Sequence, residues 1–369
     1  MSSLFDPITL GRTTLANRIA MAPLTRNRSP GAIPNNLNVT YYEQRASAGL
    51  IITEGTPITQ QGQGYAQVPG LYLPEAIEGW RRVTSAVHSA GGKIAVQLWH
   101  VGRISHTSLQ PNGAAPVAPS AIRAKSKTYI INDDGTGAFA DTSEPRALDI
   151  SEIPGILEDY RRAARAAVDA GFDAVEIHAA NGYLIDQFLR ADTNHRTDAY
   201  GGSIENRIRF AIEVVEAIVN EIGADRTGIR ISPVTPANDA SDPDPQPVFN
   251  ALVEKLAAYD LAFIHVIEGA TGGPRDNLPF DWAGLKAAYR AKGGKAVWMV
   301  NNGYDRDMAI EAVESGRADM VSFGKLFISN PDLVQRFKEN APLNEADRNT
   351  FYGGGAEGYT NYPTLALSA

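Results

Sequence analysis

The sequence predicts an α/β protein with the (β/α)₈ fold, the TIM barrel, built from its 369 residues. Three observations predict it: eight short apolar runs, amphipathic helical stretches between them, and polar side chains where the runs end. Apolar runs without alternation are typical of parallel strands that are covered on both faces. Eight strands that alternate with helices over more than 300 residues argue for a closed barrel.

Each predicted strand is five to seven residues long and is bounded by polar or turn-forming residues. In chain order, the predicted strands are Ile19–Pro23, Leu50–Glu54, Lys93–Trp99, Ala174–His178, Thr227–Ser232, Phe263–Glu268, Ala296–Asn301 and Met320–Gly324. Six predicted helices lie between strands and a seventh follows the last strand. They are Pro74–Ala90, Ser151–Ala170, Ile204–Ile222, Pro247–Tyr259, Trp282–Ala291, Arg306–Ser315 and Pro331–Glu339.

Two segments fall outside this alternation. Residues 7–15 predict a hairpin around Gly11 that caps the amino-terminal end of the barrel. Residues 101–150 form a long insertion after the third strand, rich in Pro, Gly, Ser and Thr. Loops of that length are usually functional or carry a small hairpin, so we expect a lid or a substrate wall. No linker divides the chain, and we expect one domain over residues 1–369.

Composition excludes several classes of protein. The chain has no cysteine, which excludes disulfides, thiolate nucleophiles and iron–sulfur clusters. A net charge of −8 without a basic cluster argues against nucleic acid as a partner. Neither a signal pattern nor a membrane-length apolar run is present, so we expect a cytoplasmic protein without a membrane partner. The six histidines lack the HxH and HxxxH spacings of metal sites, and we predict no metal.

Residues at the carboxyl ends of barrel strands face one mouth, where active sites of this fold lie. After strands seven and eight come Asn302–Gly303 and Gly324–Lys325, which offer backbone N–H groups and one cation. This pattern is typical of the phosphate site of phosphate-binding barrels, although the glycines could simply turn the chain. Arg230 ends an otherwise apolar strand and needs an anionic partner if it is buried.

The strongest catalytic candidates follow strand four, as His178, Asn181 and Tyr183. Imidazole and carboxamide groups side by side can donate to one carbonyl oxygen and stabilise an enolate. A tyrosine is a neutral acid at pH 7 and suits the delivery of one proton. A packed core histidine beside an aromatic helix start explains the same spacing equally well. Gln97 can bind the edge of a planar heterocycle or merely pack.

The chain also resembles the old yellow enzyme family of FMN-dependent ene-reductases, including N-ethylmaleimide reductase-like members. The resemblance extends from Leu4 to Pro363. Its most specific motifs are HAANGYL, within residues 175–189, and RTDAYGGSIENR, within residues 195–210. Further matches are NRIAMAPLTR (17–26), GQGY (62–65), QLWHVGR (97–103), SFGKLFISNPDL (322–333) and FYGGGAEGYTNYP (351–363).

The resemblance implies a role for each candidate residue around a non-covalently bound FMN. It implies that His178 and Asn181 bind the carbonyl oxygen of the substrate and that Tyr183 is the proton donor. Trp99 and Tyr352 are expected to shape the substrate pocket. The implied FMN ligands are Pro23, Thr25, Gly55 and Gln97 around the ring, Arg230 near N1 and the C2 carbonyl, and Asn302, Gly303, Gly324 and Lys325 at the phosphate. Many relatives carry arginine where this chain has Lys325, and lysine lacks the bidentate fork.

The expected reaction is hydride transfer from NAD(P)H, through flavin N5, to the activated C=C bond of an α,β-unsaturated carbonyl, imide or nitro compound. Two alternatives stay open from the residues alone. One is a flavin-free barrel lyase or isomerase that acts on a phosphorylated substrate and leaves Thr25 and Gln97 without a role. The other is a binding barrel without catalysis, which the intact set of His178, Asn181 and Tyr183 argues against. A homo-oligomer is possible, and the sequence does not decide between NADPH and NADH.

Overall fold

The structure, a computed structural model, describes residues 2–365. Met1 and residues 366–369, the ends of the predicted domain, lie outside the described residues. The strands are β1 (Ile8–Leu10), β2 (Thr13–Leu15), β3 (Ile19–Met21), β4 (Leu50–Pro57), β5 (Ile94–Trp99), β6 (Val117–Ala118), β7 (Lys127–Ile131), β8 (Gly137–Asp141), β9 (Arg146–Ala147), β10 (Ala174–Ala179), β11 (Thr227–Ile231), β12 (Phe263–Ile267), β13 (Val297–Asn301) and β14 (Met320–Phe323). The helices are α1 (Asn36–Glu43), α2 (Pro74–Ser89), α3 (Ile153–Asp169), α4 (Leu184–Leu189), α5 (Ile204–Ile222), α6 (Pro245–Leu256), α7 (Trp282–Ala291), α8 (Arg306–Glu314), α9 (Lys325–Ser329) and α10 (Leu333–Glu339).

Eight parallel strands close into a barrel in the order β3, β4, β5, β10, β11, β12, β13 and β14, with β14 pairing back to β3. Every residue of these strands is buried, because side chains fill the barrel on one face and helices cover the other. The predicted (β/α)₈ fold is therefore confirmed, and each predicted strand agrees with an observed one to within three residues at either end.

The amino-terminal hairpin closes the lower end of the barrel. β1 and β2 pair in antiparallel register around Gly11, which adopts a left-handed φ of 55°. Leu10 and Leu15 are buried against residues that begin the barrel strands, among them Ala174 and Met320. The predicted cap is confirmed, and apolar packing holds it in place.

The insertion after β5 has structure of its own. β7 and β8 form an antiparallel hairpin, and the two-residue strands β6 and β9 pair at its base. The guanidinium group of Arg103 anchors the segment by donating to the carbonyl oxygens of Ile122, Asn238 and Asp239. The backbone N–H of Ala66 donates to the Tyr129 carbonyl over 2.8 Å, which ties the hairpin to the loop after β4. Within residues 2–365, no helix has both the length and the apolar character that crossing a membrane needs.

Candidate active site

A cavity of about 1190 Å³ opens at the carboxyl ends of the barrel strands. It lies where the fold places active sites, and residues from several strands and from the chain beyond α10 line it. Among the residues predicted for the site, its lining includes Pro23, Thr25, Asn181, Arg230, Asn302, Gly303, Gly324, Lys325 and Tyr352.

One end of this cavity carries the predicted phosphate residues. Asn302 and Gly303 both take left-handed φ angles, 95° and 68°, so β13 is followed by a sharp turn. The Asn302 side chain holds the turn, since it donates to the Glu268 carbonyl and accepts from the N–H of Gly272. Gly324 precedes α9, which spans only five residues, and the exposed Lys325 begins it. At this end of the cavity, a phosphate would therefore meet a sharp turn and the charge of a lysine, and not the dipole of a long helix.

Arg230 provides a test of whether the site fits FMN. Its side chain is only 4% exposed, it donates from Nη2 to Asn301 Oδ1 over 2.8 Å, and its Nε has no hydrogen-bond partner within residues 2–365. Burial lowers the pKa of this guanidinium to about 10. A buried cation with an unused donor beside a cavity needs an oxygen or nitrogen acceptor from a ligand. The pyrimidine edge of a flavin, which becomes anionic on reduction, meets that need.

Trp99, His178 and Tyr183 form one aromatic cluster, although they lie outside the lining of the main cavity. The Tyr183 ring stands edge-on to Trp99 and to His178, with centroid distances of 4.9 and 5.0 Å. A Cβ atom at Gly55 would lie 2.5 Å from the Trp99 ring. Close packing against Trp99 therefore requires glycine at position 55, whether or not a cofactor contacts it.

Burial keeps both ionisable groups of this cluster neutral. The pKa of His178 is lowered well below its usual value, mainly by burial and further by the charge of Arg230. Its Nδ1 is buried without a hydrogen-bond partner within the described chain. Burial likewise raises the pKa of Tyr183, whose hydroxyl lies 3.2 Å from the hydroxyl of Tyr65. The cluster thus combines a neutral imidazole with a protonated phenol.

Asn181 is held in a strained loop next to this cluster. It adopts a φ of 59°, and its N–H donates to Ser232 Oγ over 2.8 Å. Its Oδ1 accepts from the hydroxyl of Thr271 over 2.6 Å, so the NH₂ group is the part of the carboxamide left to donate. Its carbonyl accepts from Asn238, whose own Oδ1 accepts from Ser126 in the insertion. The insertion therefore supports the loop that carries Asn181.

Gln97 is buried inside the barrel, and its Nε2 donates to Glu176 Oε1 over 2.8 Å. Glu176 Oε2 in turn lies 2.7 Å from His265 Nδ1, and His265 Nε2 lies 2.7 Å from Ser322 Oγ. Glu176 and His265, which hold Gln97 from inside the barrel, were not predicted from the sequence. A signal was available for Glu176, because residues two apart on a strand share a face and His178 is two residues further on.

Two other polar residues at strand ends have structural partners. Glu268, after β12, accepts from the Tyr304 hydroxyl over 2.6 Å and forms an ion pair with Arg275. His100, after β5, is buried and accepts at Nδ1 from the N–H of Gly102. Neither residue lines the cavity.

The chain beyond α10 folds back over the mouth of the cavity and brings Tyr352, which is 57% exposed. Arg26, one residue after Thr25, donates to the carbonyls of Phe351 and Gly358 over 2.8 Å each. Arg28 donates to the Thr350 carbonyl over the same distance. Two arginines from the loop after β3 thus fix the position of Tyr352.

Comparison with known proteins agrees with this geometry. The sequence model of the NADH:flavin oxidoreductase / NADH oxidase family matches residues 3–344. A 12-oxophytodienoate reductase 7 of Oryza sativa subsp. japonica is 45% identical, over 98% of this chain and 94% of the relative. A 12-oxophytodienoate reductase 2 of Arabidopsis thaliana is 41% identical, over 99% of this chain and 96% of the relative.

Solved structures give the same answer. A morphinone reductase in complex with tetrahydroNAD superposes with a TM-score of 0.94 at 46% identity, covering 100% of this chain and 99% of the other. An old yellow enzyme homologue from Zymomonas mobilis superposes with a TM-score of 0.93 at 42% identity, covering 99% and 100%. These matches favour the flavin enzyme over the flavin-free barrel. The chain therefore belongs to the NADH:flavin oxidoreductase / NADH oxidase family, among the old yellow enzymes, and is an FMN-dependent alkene reductase that uses a nicotinamide cofactor.

Proposed function

We propose that this enzyme adds hydride and a proton across the activated C=C bond of an α,β-unsaturated carbonyl, imide or nitro compound. The observation that carries the proposal is the neutral His178, with a buried and unpartnered Nδ1, packed against Tyr183. A neutral imidazole has one N–H to donate, and the NH₂ group of Asn181, three residues further along the chain, is the second donor of the proposal. Two donors converging on one acceptor oxygen withdraw electrons from the double bond and stabilise the enolate that forms.

In this proposal, Tyr183 protonates the α-carbon while the acceptor oxygen stays on His178 and Asn181. FMN, when bound, would supply the redox chemistry that the protein itself lacks, which is hydride transfer from NAD(P)H to the β-carbon through N5. Proton and hydride then arrive on opposite faces of the double bond. Trp99 and Tyr352 shape the pocket for the substrate, and Trp99 also packs against Gly55.

We further assign the FMN contacts to residues that line the cavity and to Gly55 and Gln97, which lie outside its lining. Pro23 and Thr25, with Gly55 and Gln97, surround the ring, and Arg230 balances the charge of the reduced pyrimidine edge. Asn302, Gly303, Gly324 and Lys325 hold the phosphate, consistent with the turn and the cation at that end. On this assignment, residues 1–369 act as one FMN-binding unit. A cytoplasmic location, a homo-oligomer and the choice between NADPH and NADH stay predictions.

The first experiment is the visible spectrum of the pure protein without oxygen. We expect a yellow flavin spectrum that bleaches on adding NADPH or NADH and returns on adding an enone such as 2-cyclohexenone. Recovery with an enone but not with the matching saturated ketone would locate the reaction at the C=C bond. A protein that bleaches with NAD(P)H but never recovers with enone, imide or nitroalkene would contradict the proposed substrate class.

A further inference from the structure

A chain of four buried polar side chains runs across the inside of the barrel, next to Arg230. Gln97 donates to Glu176 over 2.8 Å, Glu176 meets His265 over 2.7 Å, and His265 meets Ser322 over 2.7 Å. All four side chains are at most 1% exposed. They come from four different strands, β5, β10, β12 and β14, so this series of hydrogen bonds spans the width of the barrel.

The chemistry of these groups fixes the direction of each hydrogen bond. An ionised carboxylate only accepts, so Glu176 must receive the NH₂ of Gln97 and the N–H at Nδ1 of His265. Burial lowers the pKa of His265, which therefore carries one N–H, and its Nε2 accepts from the hydroxyl of Ser322. The orientation of the Gln97 carboxamide thus depends on Glu176, and its Oε1 is the atom left for a ligand.

Glu176 also matters through its charge. Arg230 lies beside His265 on the neighbouring strand and forms no ion pair within residues 2–365. The carboxylate of Glu176 nevertheless acts on Arg230 from a distance, and it opposes the effect of burial on the pKa of that guanidinium. In a buried site, such an interaction is stronger than in water.

We propose that Glu176 is a positioning residue that orients Gln97 and offsets the charge of Arg230, and that it thereby sets the reduction potential and the affinity of FMN. The inference rests on the proposed function, in which Gln97 and Arg230 meet the pyrimidine edge of FMN. A negative charge beside that edge disfavours the reduced, anionic ring and keeps the cofactor ready to give up its hydride.

The test is the midpoint potential of bound FMN, measured by equilibration with a reference dye, in Glu176→Gln. This substitution keeps the shape of the side chain and removes its charge. We expect the potential to become more positive by at least the equivalent of a tenfold change in the reduced-to-oxidised ratio, about 30 mV for two electrons. A potential that changes by less than the equivalent of threefold would overturn the inference.

A second pair of variants separates positioning from a loss of folding. His265→Leu removes the donor that holds Glu176, whereas His265→Asn keeps an N–H near the place of Nδ1. We expect FMN to bind at least threefold more weakly to apo His265→Leu, in a fluorescence titration, and His265→Asn to recover most of that loss. Equal affinity in both variants would overturn the positioning role, and this pair decides it even if Glu176→Gln does not fold.

Arg230→Gln distinguishes failure of the inference from failure of the proposed FMN site. Removing this cation should make the potential more negative if the pyrimidine edge lies at Arg230. If Arg230→Gln shifts the potential and Glu176→Gln does not, the FMN site stands and only the role of Glu176 falls. If neither substitution shifts the potential, the proposed placement of FMN is wrong.

Discussion

At the residue scale, the hydroxyl of Tyr183 decides the second half of the proposed reaction. Tyr183→Phe keeps the ring packed edge-on to Trp99 and His178 and removes only the proposed acid. We expect alkene reduction to slow by about 10²-fold or more, the usual contribution of a positioned acid. Flavin reduction by NAD(P)H should change little, since it needs no proton from Tyr183. Stopped-flow absorbance measures the two half-reactions separately.

The matched control is Tyr65→Phe, because the hydroxyls of Tyr65 and Tyr183 are hydrogen-bonding partners at 3.2 Å. If Tyr183 acts as the acid, Tyr65→Phe removes only a neighbour and slows alkene reduction far less. Equal slowing of both half-reactions in Tyr183→Phe would show that the ring position, rather than the proton, had been disturbed.

Sequence reasoning places single residues well when they end a strand. Arg230 and Asn181 were expected at the mouth of the barrel and line the cavity there. His178 was expected beside Tyr183, and the two rings are in contact. Partners deeper in the barrel were missed, because Glu176 stands one strand away from Gln97 and His265 stands two strands away from Glu176. Hydrogen bonds between side chains of different strands leave no spacing in the sequence that pairs the two residues.

At the element scale, the loop from β10 to α4 depends on Gly182. It has a φ of 75°, and a Cβ there would lie 2.6 Å from the Ala237 carbonyl oxygen. Gly182→Ala combines backbone strain with a clash, so we expect a loss of more than about 2 kcal/mol in unfolding free energy. Because Asn181 and Tyr183 flank this glycine, alkene reduction should fall as well. Urea denaturation and steady-state rates measure the two effects.

Gly202→Ala is the control for backbone strain alone. Gly202 has a φ of 82°, but nothing lies within 4 Å of the Cβ that alanine would add. We expect a cost of about 1 kcal/mol and an unchanged rate of alkene reduction. Equal costs at both glycines would mean that the clash with Ala237 relaxes freely.

The hairpin of β1 and β2 is an element that stabilises the barrel without touching the site. Leu15 is fully buried at the lower end, opposite to the cavity. We expect Leu15→Ala to lower the unfolding free energy by about 2–4 kcal/mol, the range for buried leucines. FMN affinity should stay within twofold, as measured by fluorescence titration of the apo protein. The neighbouring Thr14→Ala, at an exposed position of the same strand, should affect neither quantity.

Elements with a strong apolar pattern were predictable, and elements without one were not. Helices α5 and α7 agree with their predicted bounds, because each presents one apolar stripe to the barrel. Helix α1, whose buried side chains are Asn38, Tyr41 and Tyr42, was not predicted. Its start is instead encoded in a capping box between Asn35 and Asn38, which needs no apolar periodicity.

At the scale of the whole molecule, three buried histidines should make the apo protein sensitive to mild acid. Burial lowers the pKa of His100 to about 3 and the pKa values of His178 and His265 below their usual range. The unfolded chain takes up these protons below pH 6.5 and the folded chain does not, so stability falls as pH falls. Below pH 6.5, each histidine that stays unprotonated in the folded state lowers the unfolding free energy by about 1.4 kcal/mol per pH unit.

Glu54 acts in the opposite direction, since burial raises its pKa to about 7 and it gains a proton in the folded state first. Three histidines against one carboxyl leave a net loss of unfolding free energy between pH 7.5 and pH 5.5. Urea unfolding of the apo protein at these two pH values measures the difference. Glu54→Gln should steepen the loss, and an unfolding free energy that rises toward pH 5.5 would contradict the assignment.

The pairing of β14 with β3 has a consequence for how the protein is made in the cell. Strand β3 and Arg26 leave the ribosome long before their partners, β14 and the carbonyls of Phe351 and Gly358. Until β14 has been made, the edge of β3 that it covers has no hydrogen-bonding partner. Open strand edges of this kind are prone to aggregation. The barrel can therefore close, and its cavity can bind the cofactor, only after β14 has been synthesised.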